Sequence, residues 1–72
     1  MKQYANFGGN SSVRYFEYGD TYITVQFKSG FPYTYSYTSA GETNVENMKR
    51  LAESGSGLGS YIMRNCKTLY ER

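Results

Sequence analysis

The stretch Ser29-Gly30-Phe31-Pro32-Tyr33-Thr34-Tyr35-Ser36-Tyr37 decides the fold: a turn signal is followed by alternating aromatic and small residues, the pattern of a strand with one aromatic face. Just upstream, Tyr22-Ile23-Thr24-Val25-Gln26-Phe27-Lys28 alternates as clearly, with Ile23, Val25 and Phe27 on one side. The length of the connecting loop sets which faces merge. A two-residue loop, Ser29-Gly30, sets Lys28 opposite Phe31 and drops the tyrosines onto the polar face. A three-residue loop, Lys28-Ser29-Gly30 with Gly30 left-handed, pairs Phe27 with Phe31, Val25 with Tyr33 and Ile23 with Tyr35. This register gathers Ile23, Val25, Phe27, Phe31, Tyr33, Tyr35 and Tyr37 on one side and leaves Thr24, Gln26, Thr34, Ser36 and Thr38 on the other. The separation is cleaner, so the Tyr33-x-Tyr35 pair is expected to point into the core and not outward as a stacking platform. Pro32 lacks an amide proton and suits a strand start on a sheet edge.

Working outward, Val13-Arg14-Tyr15-Phe16-Glu17-Tyr18 reads as a further strand. Val13 and Phe16 cannot share a face of a regular strand, so a bulge is expected between them. Gly19-Asp20 supplies the hairpin turn. Residues 1 to 10, ending in Phe7-Gly8-Gly9-Asn10, show no periodicity and read as a flexible arm, with Tyr4 and Phe7 the residues able to tuck against the body. After the tyrosine strand, Thr38-Ser39-Ala40-Gly41 is a breaker run and Thr43-x-x-Glu46 has the form of a capping box. A helix is expected from about Asn44 to Glu53, with Val45, Met48, Leu51 and Ala52 on one face and Glu46 placed to pair with Lys49 or Arg50. A second is expected from about Leu58 to Tyr70, with Leu58, Ile62, Cys66 and Leu69 on its apolar stripe and Arg64, Lys67 and Glu71 opposite. The expected domain, residues 11 to 72, is therefore α+β: a three-stranded antiparallel β-meander packed against two C-terminal α-helices, in the order βββαα.

The composition narrows the function classes. A chain of 72 residues makes one small domain, burying only about 60 % of its unfolded surface. Nine tyrosines and four phenylalanines, with no tryptophan, are an economical way to fill so thin a core. Cys66 is the single cysteine and there is no histidine, so neither an internal disulfide nor a zinc constellation is expected. A reducing, cytoplasmic setting is the natural expectation. Met1 to Asn10 carries no apolar run, so no signal peptide or membrane span is expected there. Without histidine, and with Glu17, Asp20, Glu42, Glu46, Glu53 and Glu71 spread over turns and helix exteriors, no nucleophile has a plausible base, and neither catalysis nor a cofactor is expected.

The net charge of +2 is too small to announce a nucleic-acid binder. Its distribution says more, because the whole excess lies beyond Thr43, in Lys49, Arg50, Arg64, Lys67 and Arg72 against Glu46, Glu53 and Glu71. Arg64 and Lys67 lie three apart on the outer stripe of the last expected helix, where they could hold a nucleic-acid backbone or simply form a solvated face. The run Ser54-Gly55-Ser56-Gly57 before that helix resembles a phosphate-cradling loop but lacks the Gly-Lys-Ser/Thr ending of a P-loop. A helix-to-helix turn, with Gly55 as C-cap and Ser56 as the next N-cap, explains most of it. Cys66, between Ile62 and Leu69, reads as a small buried hydrophobe.

The order of these features resembles the KTSC domain, a bacterial and phage module also found at the C-terminus of some lysyl-tRNA synthetases. Ser11-Ser12-Val13, then Ile23-x-Val25-x-Phe27-x-x-Gly30-x-x-Tyr33-x-Tyr35, then Ala52-x-Ser54-Gly55 and a closing helix with Ile62 and Tyr70 carry the resemblance, from Ser11 to Tyr70. Where that family often has Tyr-Phe-Asn after the turn, this chain has Gly57-Leu58-Gly59. The resemblance implies RNA binding. On that expectation Arg64, Lys67, Lys28 and the turn Ser54, Gly55, Ser56 and Gly57 contact phosphates, and Tyr15 and Tyr22, on the open face, stack on bases. The alternative is a protein-interaction module, such as a small phage or mobile-element protein that docks on a bacterial partner or pairs with itself through a strand edge.

Overall fold

The computed structural model describes residues 1–9, 11–28 and 30–71. Asn10, Ser29 and Arg72 lie outside the described residues, and with them the last residue of the expected arm, the middle of the expected three-residue turn and the end of the expected domain. Among the described residues, four strands form one antiparallel sheet in the order β1 (Lys2–Gln3), β2 (Val13–Tyr18), β3 (Tyr22–Phe27) and β4 (Pro32–Ser36). Helices α1 (Tyr37–Ala40), α2 (Glu42–Ser54) and α3 (Leu58–Tyr61) follow, and α3 continues into a π-helical turn, Ile62–Cys66. The architecture is α+β, with the helical half packed on one face of the sheet.

The β3–β4 hairpin has the register expected from the three-residue loop: Ile23 pairs with Tyr35 and Val25 with Tyr33. Gly30 has φ +95°, a conformation that costs an L side chain but not glycine, and its amide donates to the Phe27 carbonyl at 3.0 Å. Tyr35 is consequently 2 % exposed, and Ile23 and Val25 are fully buried. On the open face, the Thr24 and Thr34 hydroxyls meet at 2.8 Å. The expected bulge is present. Val13 pairs with Phe27 and Tyr15 with Gln26, so Arg14 is the extra residue that lets Val13 and Phe16 both face inward.

Four departures from the sequence expectation have physical causes. First, Lys2–Gln3 pairs with Phe16 and Tyr15, adding a fourth strand to the expected three and tying down part of the expected free arm. A two-residue strand carries no detectable period. Tyr4, next along, is 3 % exposed, its amide bonds the Arg14 carbonyl at 2.8 Å, and its hydroxyl accepts from the Leu58 amide at 3.2 Å.

Second, Tyr37 leaves the strand pattern and opens α1, because Ser36 caps it: the Ser36 hydroxyl accepts from the Ser39 amide, and the Ser39 hydroxyl accepts from the Ser36 amide. This is the reciprocal box expected at Thr43 and Glu46, placed one helix earlier. Helix α2 starts from Gly41 with no side-chain cap, and Glu46 instead accepts from the Tyr37 hydroxyl at 2.6 Å and from Lys49 at 2.9 Å. Lys49 also reaches the Asp20 carbonyl at 3.0 Å and lies over the Tyr18 ring, pinning the β2–β3 turn to α2.

Third, the turn after α2 has Gly55 as its left-handed C-cap, as expected, but α3 is preceded by left-handed Gly57 and not capped by Ser56. Gly55 has a second reason to be glycine. A Cβ there would stand 2.7 Å from Ala5 and 2.8 Å from Phe7, whose amide bonds the Gly55 carbonyl.

Fourth, the last helix ends at Cys66 and not at Tyr70. The Leu69 amide turns back to the Cys66 carbonyl, and the tail returns to the sheet, where the Glu71 amide donates to Thr34 on β4 at 2.6 Å and the Ser36 hydroxyl donates to the Glu71 carboxylate. The tail therefore occupies part of the β4 edge, while the opposite edge is the two-residue β1, so neither edge offers a long free strand.

Because Tyr35 fills the centre of the inner face, Tyr35→Ala is expected to lower stability by about 3 to 5 kcal/mol, the range for emptying a buried aromatic site. Urea unfolding followed by far-UV circular dichroism measures it. An unchanged midpoint would contradict the inward orientation of Tyr35.

Candidate nucleic-acid interface

Two adjoining hollows open where the Phe27 end of β3 meets the last helix. The first, of about 530 Å³, is a groove walled by Phe27, Tyr33, Tyr35 and Tyr70, floored by Ile62, and flanked by Lys28, Met63 and Lys67. The hairpin register creates its aromatic wall, because β3 and β4 side chains at paired positions share a face. Phe27 meets Tyr33 edge-on at 5.7 Å, Tyr70 packs on Tyr33 at 4.7 Å, and Tyr70 stands perpendicular to Tyr35 at 6.4 Å. The same inward face that fills the core thus runs out, at its Phe27 end, into an aromatic groove.

The second hollow, of about 460 Å³, is polar. It lies between the N-terminal segment and the start of α3, and is lined by Tyr4, Asn6, Ser11, Ser12, Ser56, Gly57, Gly59, Ser60 and Arg64, among others. Ser12 and Met63 line both hollows, so the two are contiguous. The π turn accounts for how Arg64 and Lys67 divide between them. On an α-turn residues three apart are surface neighbours, about 60° apart around the axis; a π turn is wider and swings them further around it. Arg64 lines the polar hollow and Lys67 the aromatic groove, while Ile62 and Cys66 stay in the core.

Charge is distributed unevenly over the molecule. Among the described residues, no carboxylate lines either hollow. Glu53 accepts from Lys2 and from the Tyr18 hydroxyl, and these bonds hold its carboxyl below the usual range. The Tyr37 hydroxyl and Lys49 lower Glu46 in the same way. Glu17 faces the N-terminal ammonium at 3.9 Å, and Glu71 is bonded by Ser36. Lys2 and Lys49 are thus committed to carboxylates, and Arg50 bonds Asn47. Lys28, Arg64 and Lys67 are exposed and make no ion pair among the described residues. The Cys66 thiol is buried and pushed up from its ordinary value by that burial, which disfavours a reactive thiolate.

The residues singled out from the sequence are therefore split. Lys28, Lys67, Tyr33 and Tyr35 meet in the aromatic groove; Arg64, Ser56 and Gly57 meet in the polar hollow. Ser54 and Gly55 line neither. The Ser54 hydroxyl is closed onto the Leu51 and Ser56 backbone, and Gly55 is buried under the N-terminal segment. Tyr15 and Tyr22 stand on the other, open face of the sheet, Tyr15 beside Gln3 and Gln26, and Tyr22 across Gly19 and opposite Ser36. They are four strand positions apart, about 13 Å, with Glu17 on the row between, and so do not form a continuous platform. Tyr4, Ser11, Ser12, Ser60, Met63 and Tyr70 also line the hollows and are not among the contacts expected from the sequence, although Ser11, Ser12 and Tyr70 belong to the motifs of the resemblance.

No protein-family profile, curated protein or solved structure matches the chain in comparison searches. Among the described residues, no group of three or more metal-ligating side chains comes together, and no helix is long and apolar enough to cross a membrane.

Two phenols tie the site and the helix contact to pH. Burial raises the Tyr35 hydroxyl to about 12, and the hydrogen bond to Glu46 followed by burial raises Tyr37 to about 12. An unfolded tyrosine titrates near 10. The fold favours the neutral phenol, so this contribution is complete below pH 10 and is lost as pH rises from 10 through 12. The urea midpoint is expected to fall across that window, and less steeply in Tyr35→Phe. A fall of equal steepness in wild type and Tyr35→Phe would show that Tyr35 is not the group being titrated.

Proposed function

We propose that the chain is a small non-catalytic RNA-binding domain whose interface is the pair of hollows at the end of the sheet. One observation carries the reading: of the five cations without carboxylate partners among the described residues, Arg14, Lys28, Arg50, Arg64 and Lys67, three, Lys28, Lys67 and Arg64, converge on contiguous hollows with no carboxylate in their walls, one of them aromatic. Cations free of partners release counterions when they meet phosphates, and aromatic walls accept bases of any sequence. A strand with unpaired bases suits a groove of this size better than a duplex, whose bases are stacked away from side chains. The KTSC-like order of motifs from Ser11 to Tyr70 supports the same assignment. Tyr33 and Tyr70 replace Tyr15 and Tyr22 as the stacking candidates, because they stand beside the cations.

A second reading, a protein-interaction module, is favoured by Met63 and Phe31, which are 58 % and 69 % exposed. Met63 borders the groove and Phe31 follows its hairpin turn, so an apolar partner side chain would find contacts there.

Fluorescence anisotropy with single-stranded and hairpin RNAs at two salt concentrations separates the readings. Saturable binding of the single strands that weakens with salt is expected. In Lys28→Gln/Lys67→Gln the slope of log K against log salt is expected to shrink by about 0.7 for each phosphate that the variant no longer neutralises. Absence of saturable binding at micromolar protein would remove the RNA reading in favour of the protein-interaction one.

A further inference from the structure

The polar hollow is built differently from the groove beside it, and its wall has the chemistry of a receptor for a phosphate monoester. Tyr4, Ser11, Ser12, Ser56 and Ser60, each with a hydroxyl, line the hollow together with Arg64. Among the described residues, no acceptor takes their protons. Tyr4, 3 % exposed, uses its oxygen to accept from the Leu58 amide, and among the described residues nothing accepts its proton. Ser11 likewise accepts from the Val13 amide at 3.1 Å, which leaves its proton to point elsewhere. The side chains of Ser12, Ser56, Ser60 and Arg64 have no bond to another described residue.

A wall of neutral donors around one permanent cation, with no carboxylate among the described residues, selects an oxyanion. A metal ion would need charged acceptors, and a neutral ligand would leave the guanidinium unmatched. The number of donors discriminates further. A phosphodiester inside a strand offers two free oxygens and one charge, whereas a monoester offers three acceptor oxygens and nearly two charges. Gly59 keeps the space open: a Cβ at that position would press to 3.0 Å of the Ser11 hydroxyl oxygen. The volume of about 460 Å³ lies in the range of small-ligand pockets.

We infer that this hollow holds the terminal phosphate monoester of a nucleic-acid strand whose adjoining bases enter the aromatic groove. The identity of the strand rests on the RNA-binding reading above; the phosphate chemistry rests on the hollow alone. Ser12 and Met63, shared by both hollows, mark where the terminal nucleotide passes from one to the other. The domain thereby distinguishes a phosphorylated strand end from the interior of a chain and from a hydroxyl end.

Short oligouridines, each fluorescently labelled at one end and carrying a phosphate or a hydroxyl at the other, with both polarities made, test this by anisotropy. A phosphorylated end of one polarity is expected to bind about tenfold tighter, the factor one charge-assisted hydrogen bond supplies. That advantage is expected to vanish in Arg64→Gln and to shrink in Ser60→Ala, both exposed positions whose replacement leaves the core intact. Lys28→Gln is expected to weaken phosphorylated and unphosphorylated strands alike. Equal affinity for phosphate and hydroxyl ends overturns the monoester site and leaves the groove reading standing. If no strand binds, the RNA reading fails, and amide-shift titration with uridine monophosphate, inorganic phosphate and uridine decides the hollow alone. Saturating shifts at residues 56–60 with the two phosphate compounds, but not with uridine, support it; none with either phosphate compound overturns it.

Discussion

The pairing of Ile23 with Tyr35 and of Val25 with Tyr33 is the contact on which the remaining structure depends. Strand side chains alternate, so a slip of one residue would carry Tyr33 and Tyr35 to solvent and bring Thr34 and Ser36 inward, exchanging rings for hydroxyls across the whole strand. Gly30 sets the pairing locally, because its positive φ lets its amide close back onto the Phe27 carbonyl. The consequences spread from there. With Tyr33 and Tyr35 on the helical side, Tyr70 has a surface to pack on, and the tail that carries it reaches Thr34 on the β4 edge. Core, groove and blunted edge all derive from one register.

A chain this short cannot close its core with the sheet and helices alone, and the N-terminal segment supplies what is missing. Tyr4 joins three parts of the fold: its amide is held by β2, its ring lies in the core, and its hydroxyl receives the first amide of α3. Phe7 then bonds the carbonyl of Gly55, where a side chain would have no room. The same contacts shape the polar hollow, because its walls are the N-terminal segment on one side and the α3 start on the other. Stability and site geometry are coupled at that junction.

Some of this is legible in the sequence, for reasons that lie in how each signal is encoded. The β3 and β4 alternation runs over enough residues to show its period, and Val13 with Phe16 betrays the bulge because two large apolar residues three apart have no other way to share a face of one strand. The apolar face of α2 is equally plain in Val45, Met48 and Ala52. Capping is not, because Ser36-x-x-Ser39 and Thr43-x-x-Glu46 both have the spacing of a box, and only the Tyr37 hydroxyl, a tertiary partner for Glu46, decides between them. The last helix reads too long since Leu69 continues the apolar stripe, and a π turn leaves no mark on a pattern of 3.6. As for the site, Lys28, Arg64, Lys67 and the Tyr33-x-Tyr35 pair are visible as residues, but their meeting is not. It depends on where the helix ends and the tail returns, both tertiary outcomes.

A net charge of +2 argues weakly for any polyanion, yet net charge is a poor measure for this molecule. Fields between exposed charges fade over about 8 Å at physiological ionic strength, while the domain measures 30 × 23 × 22 Å. Lys49 ties Glu46 to the Asp20 turn, which precedes β3, whereas Lys28 follows it. The six residues of β3 separate those ends by about 20 Å, and Glu53 is already matched to Lys2. Glu46, held at the far end of β3, and Glu53, compensated where it stands, subtract little from the potential at the groove; Glu71, beside Tyr70, is bonded by the Ser36 hydroxyl. What a ligand meets there is the local set, Lys28 and Lys67 beside aromatic rings and Arg64 among hydroxyls. The pairing of the other charges is therefore part of the site: Lys2 and Lys49 are engaged with glutamates elsewhere, while Lys28, Lys67 and Arg64 stand unpaired by carboxylates along the two hollows.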